Sequence, residues 1–266
     1  GINAGSIRPV SSDGKAAGYL VCEAGRVHGL YGYAGGIAGE SRGEIVRAKN
    51  RSGEVTAGRG AAGGIVAVNQ PGVRLLDCQN QGNVKSDQGY AGGIAAENYG
   101  AITGCSVGDT GGNAESVALT SRGTEEIGAV CAVNHGGAVI EDSTLYGNVV
   151  LQGEAKTVGG IAGENQGRIG RLSGPGTGRK TEELTNMPQI RLSSGKLTIG
   201  SVAGRNEEGG NITGITVREV KFEEFSDYGY LGGIVGVNRQ NAAVQDCIFS
   251  DGVIKEAAGS SAPGNC

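Results

Sequence analysis

Three glutamates, Glu40, Glu97 and Glu164, stand at one position of a recurring seven-residue motif, and paired carboxylates are what glycoside hydrolysis requires. The copies between and after them carry Val68, Val133, Arg205 and Val237 there, so no two successive copies share a carboxylate. If copies stack at the strand spacing of about 4.8 Å, two of these glutamates lie about 10 Å apart. That is at or beyond the upper limit of about 9.5 Å for an inverting pair, and a solvated edge is expected instead. The two histidines, His28 and His135, are not followed by Glu, so the His-Glu-x-x-His zinc motif is absent. The run Gly174 to Thr181 (GPGTGRKT) resembles a phosphate loop but places Arg179 between the last Gly and Lys180, and it reads as a basic loop. Cys78, Cys105 and Cys247 follow Leu75, Ile102 and Val244 by three residues, where other copies have Ala48, Leu172 and Ile215. That company predicts buried free thiols. In-register stacking of Cys78 on Cys105 gives parallel side-chain directions that suit a disulfide torsion poorly. No Cys-x-x-Cys is present, so no metal or cofactor is expected. Cys22 and Cys131 are read as motif-strand residues that pack, and Cys266 as a tail residue free to pair.

What positions these residues is a repeat. The motif reads GGIAGES from Gly35, GGIVAVN from Gly63, GGIAAEN from Gly92, GGIAGEN from Gly159 and GGIVGVN from Gly232. Looser copies begin at Gly128 and Gly200, and Ala17 to Glu23 is read as a degenerate first copy. The period is near 30 residues, within the range of solenoids and propellers. Each copy has a tail of Gly-x-Ile and then Gly-x-Val, as in Gly43 to Ile45 and Gly53 to Val55. Short Val, Ile and Gly segments without a helical apolar stripe suit strands joined by tight turns. The fold class expected is all-β: a single-stranded parallel β-solenoid of about eight three-strand coils over residues 1–256, with a linker over 257–266.

The composition agrees with that architecture. There are 53 Gly and 5 Pro in 266 residues but no Gly-x-y triplet repeat, which excludes collagen. A net charge of −4 and the lack of a basic run argue against nucleic acid or an anionic membrane as partner. No stretch is long and apolar enough to insert in a bilayer. Asn3 to Ile7 copies the Asn-x-Gly-x-Ile of Asn98 to Ile102, so the chain is read as starting in mid-repeat and as part of something longer. Insertions fall at about 108–126, 173–196 and 219–230, and a short helix capped by Thr181 is one expectation for the second.

The cores Gly36 to Gly39, Gly160 to Gly163 and Gly233 to Gly236 resemble the GLUG repeat of secreted and surface bacterial proteins, including segments that accompany IgA-cleaving metallopeptidases. The resemblance covers nearly the whole chain and implies an extracellular, secreted or wall-attached repeat region. The repeat has no catalytic residue to carry over.

Two further rows follow from the register. Asn69, Asn98, Asn134, Asn165, Asn206 and Asn238 occupy one position in successive copies and are expected to form an amide ladder at a corner. Replacing an inner one should destabilise more than replacing Asn50. Ala38, Val66, Ala95, Cys131, Ala162, Ala203 and Val235 alternate with the inward Ile series, so strand periodicity predicts an outward apolar strip, a binding surface unless an insertion covers it. Tyr33, Tyr90 and Tyr230 precede the motif, where they either fill corners or rim that strip as binding residues. The function expected is a non-catalytic adhesion or spacer module with a host glycan or protein as partner. The alternatives are a carbohydrate-active β-helix enzyme and a substrate-docking region of a surface peptidase.

Overall fold

The computed structural model describes residues 1–9, 18–23, 25–109, 117–123, 126–146, 149–170, 182–184, 189–192, 197–218, 220–225 and 228–256. Among these there is no helix, and the ladders between successive turns are parallel. The chain is a parallel β-solenoid. The phosphate-loop look-alike at 174–181 and the linker at 257–266 lie outside the described residues, as do parts of the three insertions.

Each turn is built from five short strands rather than the three expected. The motif strand, such as Ala95–Asn98, is followed by Ala101–Thr103, Ser106–Val107, Val117–Ser121 and Glu126–Gly128 before the next motif strand, Cys131–Asn134. Two breaks supply the extra strands: the Gly-Gly turn that separates Ala91–Gly92 from Ala95–Asn98 and its equivalents, and a sharp corner the motifs do not advertise. Between the second and third strands a residue takes a left-handed conformation in turn after turn: Arg47, Asp77, Gly104, Asp142, Gly214 and Asp246, with φ of 51–66°. Asp and Gly tolerate that region better than most residues, and it breaks one long segment into two.

The motif sheet holds eight strands, from Ile2–Asn3 to Val235–Asn238, which enclose fewer complete turns than the eight coils expected. One copy was misassigned. Leu20–Cys22 pairs with Ala48–Asn50 in the third sheet, so Ala17 to Glu23 is not a motif copy and Cys22 is not a motif-strand residue. Glu182–Leu184, expected as a helix start, is a strand paired with Ile215–Val217. A parallel neighbour offering its backbone outweighs a local capping signal.

The interior is a set of aliphatic columns. Ile45, Leu75, Ile102, Ile140, Ile169 and Ile212 stack in register on the second sheet and are at most 1% exposed. Burying each contributes about 1.5–3 kcal/mol.

The first Gly of the motif is a steric requirement. The chain doubles back within four residues, so a Cβ on Gly92 would lie 1.8 Å from the Ala95 carbonyl oxygen, and Gly35, Gly63, Gly128, Gly159, Gly200 and Gly232 meet the same obstruction at 1.6–2.0 Å.

The strip expected to face outward is instead part of the main core. Ala38, Val66, Ala95, Cys131, Ala162 and Ala203 are buried and Val235 is half-buried, all packed with the Ile series. The backbone shows why. The N–H groups of Ile94 and Ala95 both donate to the Val130 oxygen, at 2.8 and 3.2 Å, and five other turns repeat the pattern, as Ile65 and Val66 do with Ile94. Two consecutive donors on one acceptor suspend the two-residue alternation of a strand, and both side chains turn inward.

Candidate functional site

One corner of the solenoid carries the groups with chemistry. Asn69 donates through Nδ2 to Asn98 Oδ1, and the same bond runs from Asn98 to Asn134, Asn165, Asn206 and Asn238, each at 2.8–2.9 Å. The Nδ2 groups also reach turn carbonyls, such as Gly167 O from Asn165 at 3.1 Å. The first five asparagines are fully buried. The row is interrupted at Ser41, whose hydroxyl donates to Gly43 O at 2.7 Å, and Asn69 Oδ1 is left buried without a partner. A second, shorter ladder exists. Asn50 is also fully buried and donates to Asn80 Oδ1 at 2.8 Å, so it is not the dispensable comparison residue expected of it.

Because the ladder asparagine points in, its two neighbours point out and form a ridge of two rows. Glu40 accepts from Arg42 at 2.7 Å and from Gln70 at 2.9 Å. The bond from the Arg42 guanidinium, more than any other cause, holds its carboxyl below the usual range. Glu97 accepts from the Tyr99 hydroxyl at 3.1 Å and lies 3.2 Å from His135 Nε2. Tyr99 and His135 each follow a ladder asparagine in adjacent turns, and their rings stack at 3.9 Å and 4°. Burial, and then the Glu97 charge, push the Tyr99 phenol up to about 12. Glu164 receives Gln166 at 2.6 Å and Arg205 at 3.2 Å, and Arg205 also reaches Glu126 at 3.0 Å. Glu97 and Glu164 are thus separated by the Val133 turn, and each is held by two donors.

The tyrosines divide. Tyr90 and Tyr99 pack over a small outer cluster of Ala61, Ala67, Val68 and Ala96. Tyr33 begins the row that passes through Ala61 to Tyr90 and is 53% exposed. Tyr230 is also exposed but lies several turns away from the other two. The expected set joined Tyr33, Tyr90 and Tyr230 and lacked Tyr99 and His135, although both of these occupy the position after a ladder asparagine. Beside these aromatics Glu40, Arg42, Gln70, Pro71 and Val73 line an open depression of about 370 Å³.

The described cysteines take no part in this ridge. Cys78, Cys105 and Cys131 are buried, Cys22 and Cys247 are partly so, and all five are free thiols. Desolvation pushes the Cys105 and Cys131 thiols well above their ordinary values. Among the described residues no group of three or more metal-ligating side chains is present.

Fold and ridge together define a parallel β-solenoid repeat protein with one polar, aromatic-bearing edge. Comparison with known protein families, curated proteins and solved structures finds no match to this chain.

Proposed function

We propose that this solenoid is a non-catalytic adhesion or spacer module of a secreted or wall-attached bacterial protein, holding a ligand along its polar edge. The observation that carries the reading is the pairing of Glu40, Glu97 and Glu164, each bonded to two donors on its own or an adjacent turn. A carboxylate so engaged fixes the ridge, whereas an acid–base pair must converge on one reacting atom. The stacked columns and ladder make a stiff support for such an edge. The bacterial surface placement rests on the GLUG resemblance, and antibody labelling of intact cells of the source organism tests it.

The functional test is incubation with polysaccharides, mucin and immunoglobulin. Retention on one or more of them without product formation is expected. Release of reducing ends, unsaturated sugars or protein fragments, abolished by Glu97→Gln or Glu164→Gln, would establish an enzyme instead.

A further inference from the structure

We infer that the depression between Glu40, Arg42, Gln70, Pro71 and Val73 is a binding site for a neutral saccharide unit, an inference that rests on the binding-module reading and gives it a ligand class. Its volume of about 370 Å³ is near the lower end of the range of about 300–1,000 Å³ for small-molecule sites, which suits one or two sugar rings.

The lining selects the class. Glu40 Oε1 takes both internal bonds, from Arg42 Nε and Gln70 Nε2. Glu40 Oε2, the Arg42 Nη groups and Gln70 Oε1 are left without a protein partner among the described residues. The site therefore offers acceptors and donors side by side, held by one another. Opposite charges cancel, so neither an anion nor a cation gains a net Coulombic advantage, while vicinal hydroxyls, each both donor and acceptor, match the set. Pro71 and Val73 supply an apolar surface for the C–H face of a sugar ring. Tyr99 stands one turn beyond Gln70 in the same row, since the Tyr99 N–H donates to Asn69 O.

The test is a ¹⁵N amide-shift titration of the full chain with methyl glycosides of glucose, galactose, mannose and N-acetylglucosamine, and with lactose. N-acetylneuraminic acid, inorganic phosphate and tetramethylammonium serve as charged comparisons. Saturable shifts at Arg42, Gln70 and Val73 with at least one neutral sugar are expected. Glu40→Gln should weaken binding roughly tenfold, the loss of a charge-assisted hydrogen bond, and Gln70→Ala by about threefold to tenfold, the loss of a neutral one, with only small changes in unfolding midpoint because the broken bonds are at the surface. Tyr230→Ala should leave binding unaltered. No shift with any neutral sugar, or preference for a charged comparison, overturns the proposal. Polysaccharide retention that Tyr33→Ala or Tyr90→Ala removes, and the pocket variants do not, also overturns it while leaving the binding-module reading in place. If free sugars saturate the pocket but no polymer or glycoprotein is retained, the module reading fails and the pocket stands.

Discussion

Replacing Asn134 by Ala removes the middle of the amide ladder, and the structure fixes what is lost. Asn134 accepts from Asn98 at 2.9 Å and donates to Asn165 at 2.8 Å and to Arg168 O at 3.3 Å. Asn98 Nδ2 keeps its bonds to Gly100 O and Val139 O, but Asn165 Oδ1 loses the ladder donor in a fully buried site. With about 1 kcal/mol for each net hydrogen bond and about 1–3 kcal/mol for an orphaned acceptor, the cost is about 3–5 kcal/mol. Asn238→Ala is the internal comparison. It changes the same motif position at the exposed end of the row, and Asn206 Nδ2 retains Gly210 O and Ala243 O, so under about 1 kcal/mol is expected. Guanidinium unfolding followed by far-ultraviolet circular dichroism measures both, and in a repeat array the inner change should also broaden or split the transition as neighbouring turns uncouple. Equal costs for the two variants would refute the argument, because burial within the row would then be irrelevant.

Ser41→Asn should raise stability by about 1 kcal/mol, since the new amide reaches the unpartnered Asn69 Oδ1; a lower denaturation midpoint would show that the turn cannot admit the larger side chain. Gly92→Ala should prevent accumulation of folded protein, because its Cβ meets a backbone oxygen at 1.8 Å, whereas Gly136→Ala, with open space around its Cβ, should be tolerated. In ultraviolet titration Tyr99 should ionise near pH 12 and earlier in Glu97→Gln. As its folded pKa exceeds the unfolded value of about 10, its stabilising contribution is complete below about pH 10 and lost as pH rises to about 12. Thiol titration of native protein should modify Cys22 before Cys78, Cys105 and Cys131, and denaturation should equalise them; early modification of Cys131 would contradict its burial.

The spacing of the motif determines the parallel solenoid and the register of its turns. Asn3 opposite Ser41, Ile7 opposite Ile45 and the asparagine row all follow from aligning copies, because in-register parallel stacking places equivalent residues on top of one another. The same alignment contains the Tyr99–His135 stack, which needed only the position after the asparagine to be read across turns. Three features were decided by tertiary structure. The inward turn of Ala95 and its equivalents arises from two N–H groups sharing one carbonyl, a backbone geometry that side-chain periodicity does not encode. The left-handed corner at Arg47, Asp77 and Asp142 separates the second strand of a turn from the third although these residues share no single identity. The contact of Arg205 with Glu126, residues 79 apart in sequence, exists because the motif sheet folds over the sheet that carries Glu126, Thr157 and Thr198 in one row, and no spacing within one copy specifies how sharply that bend closes.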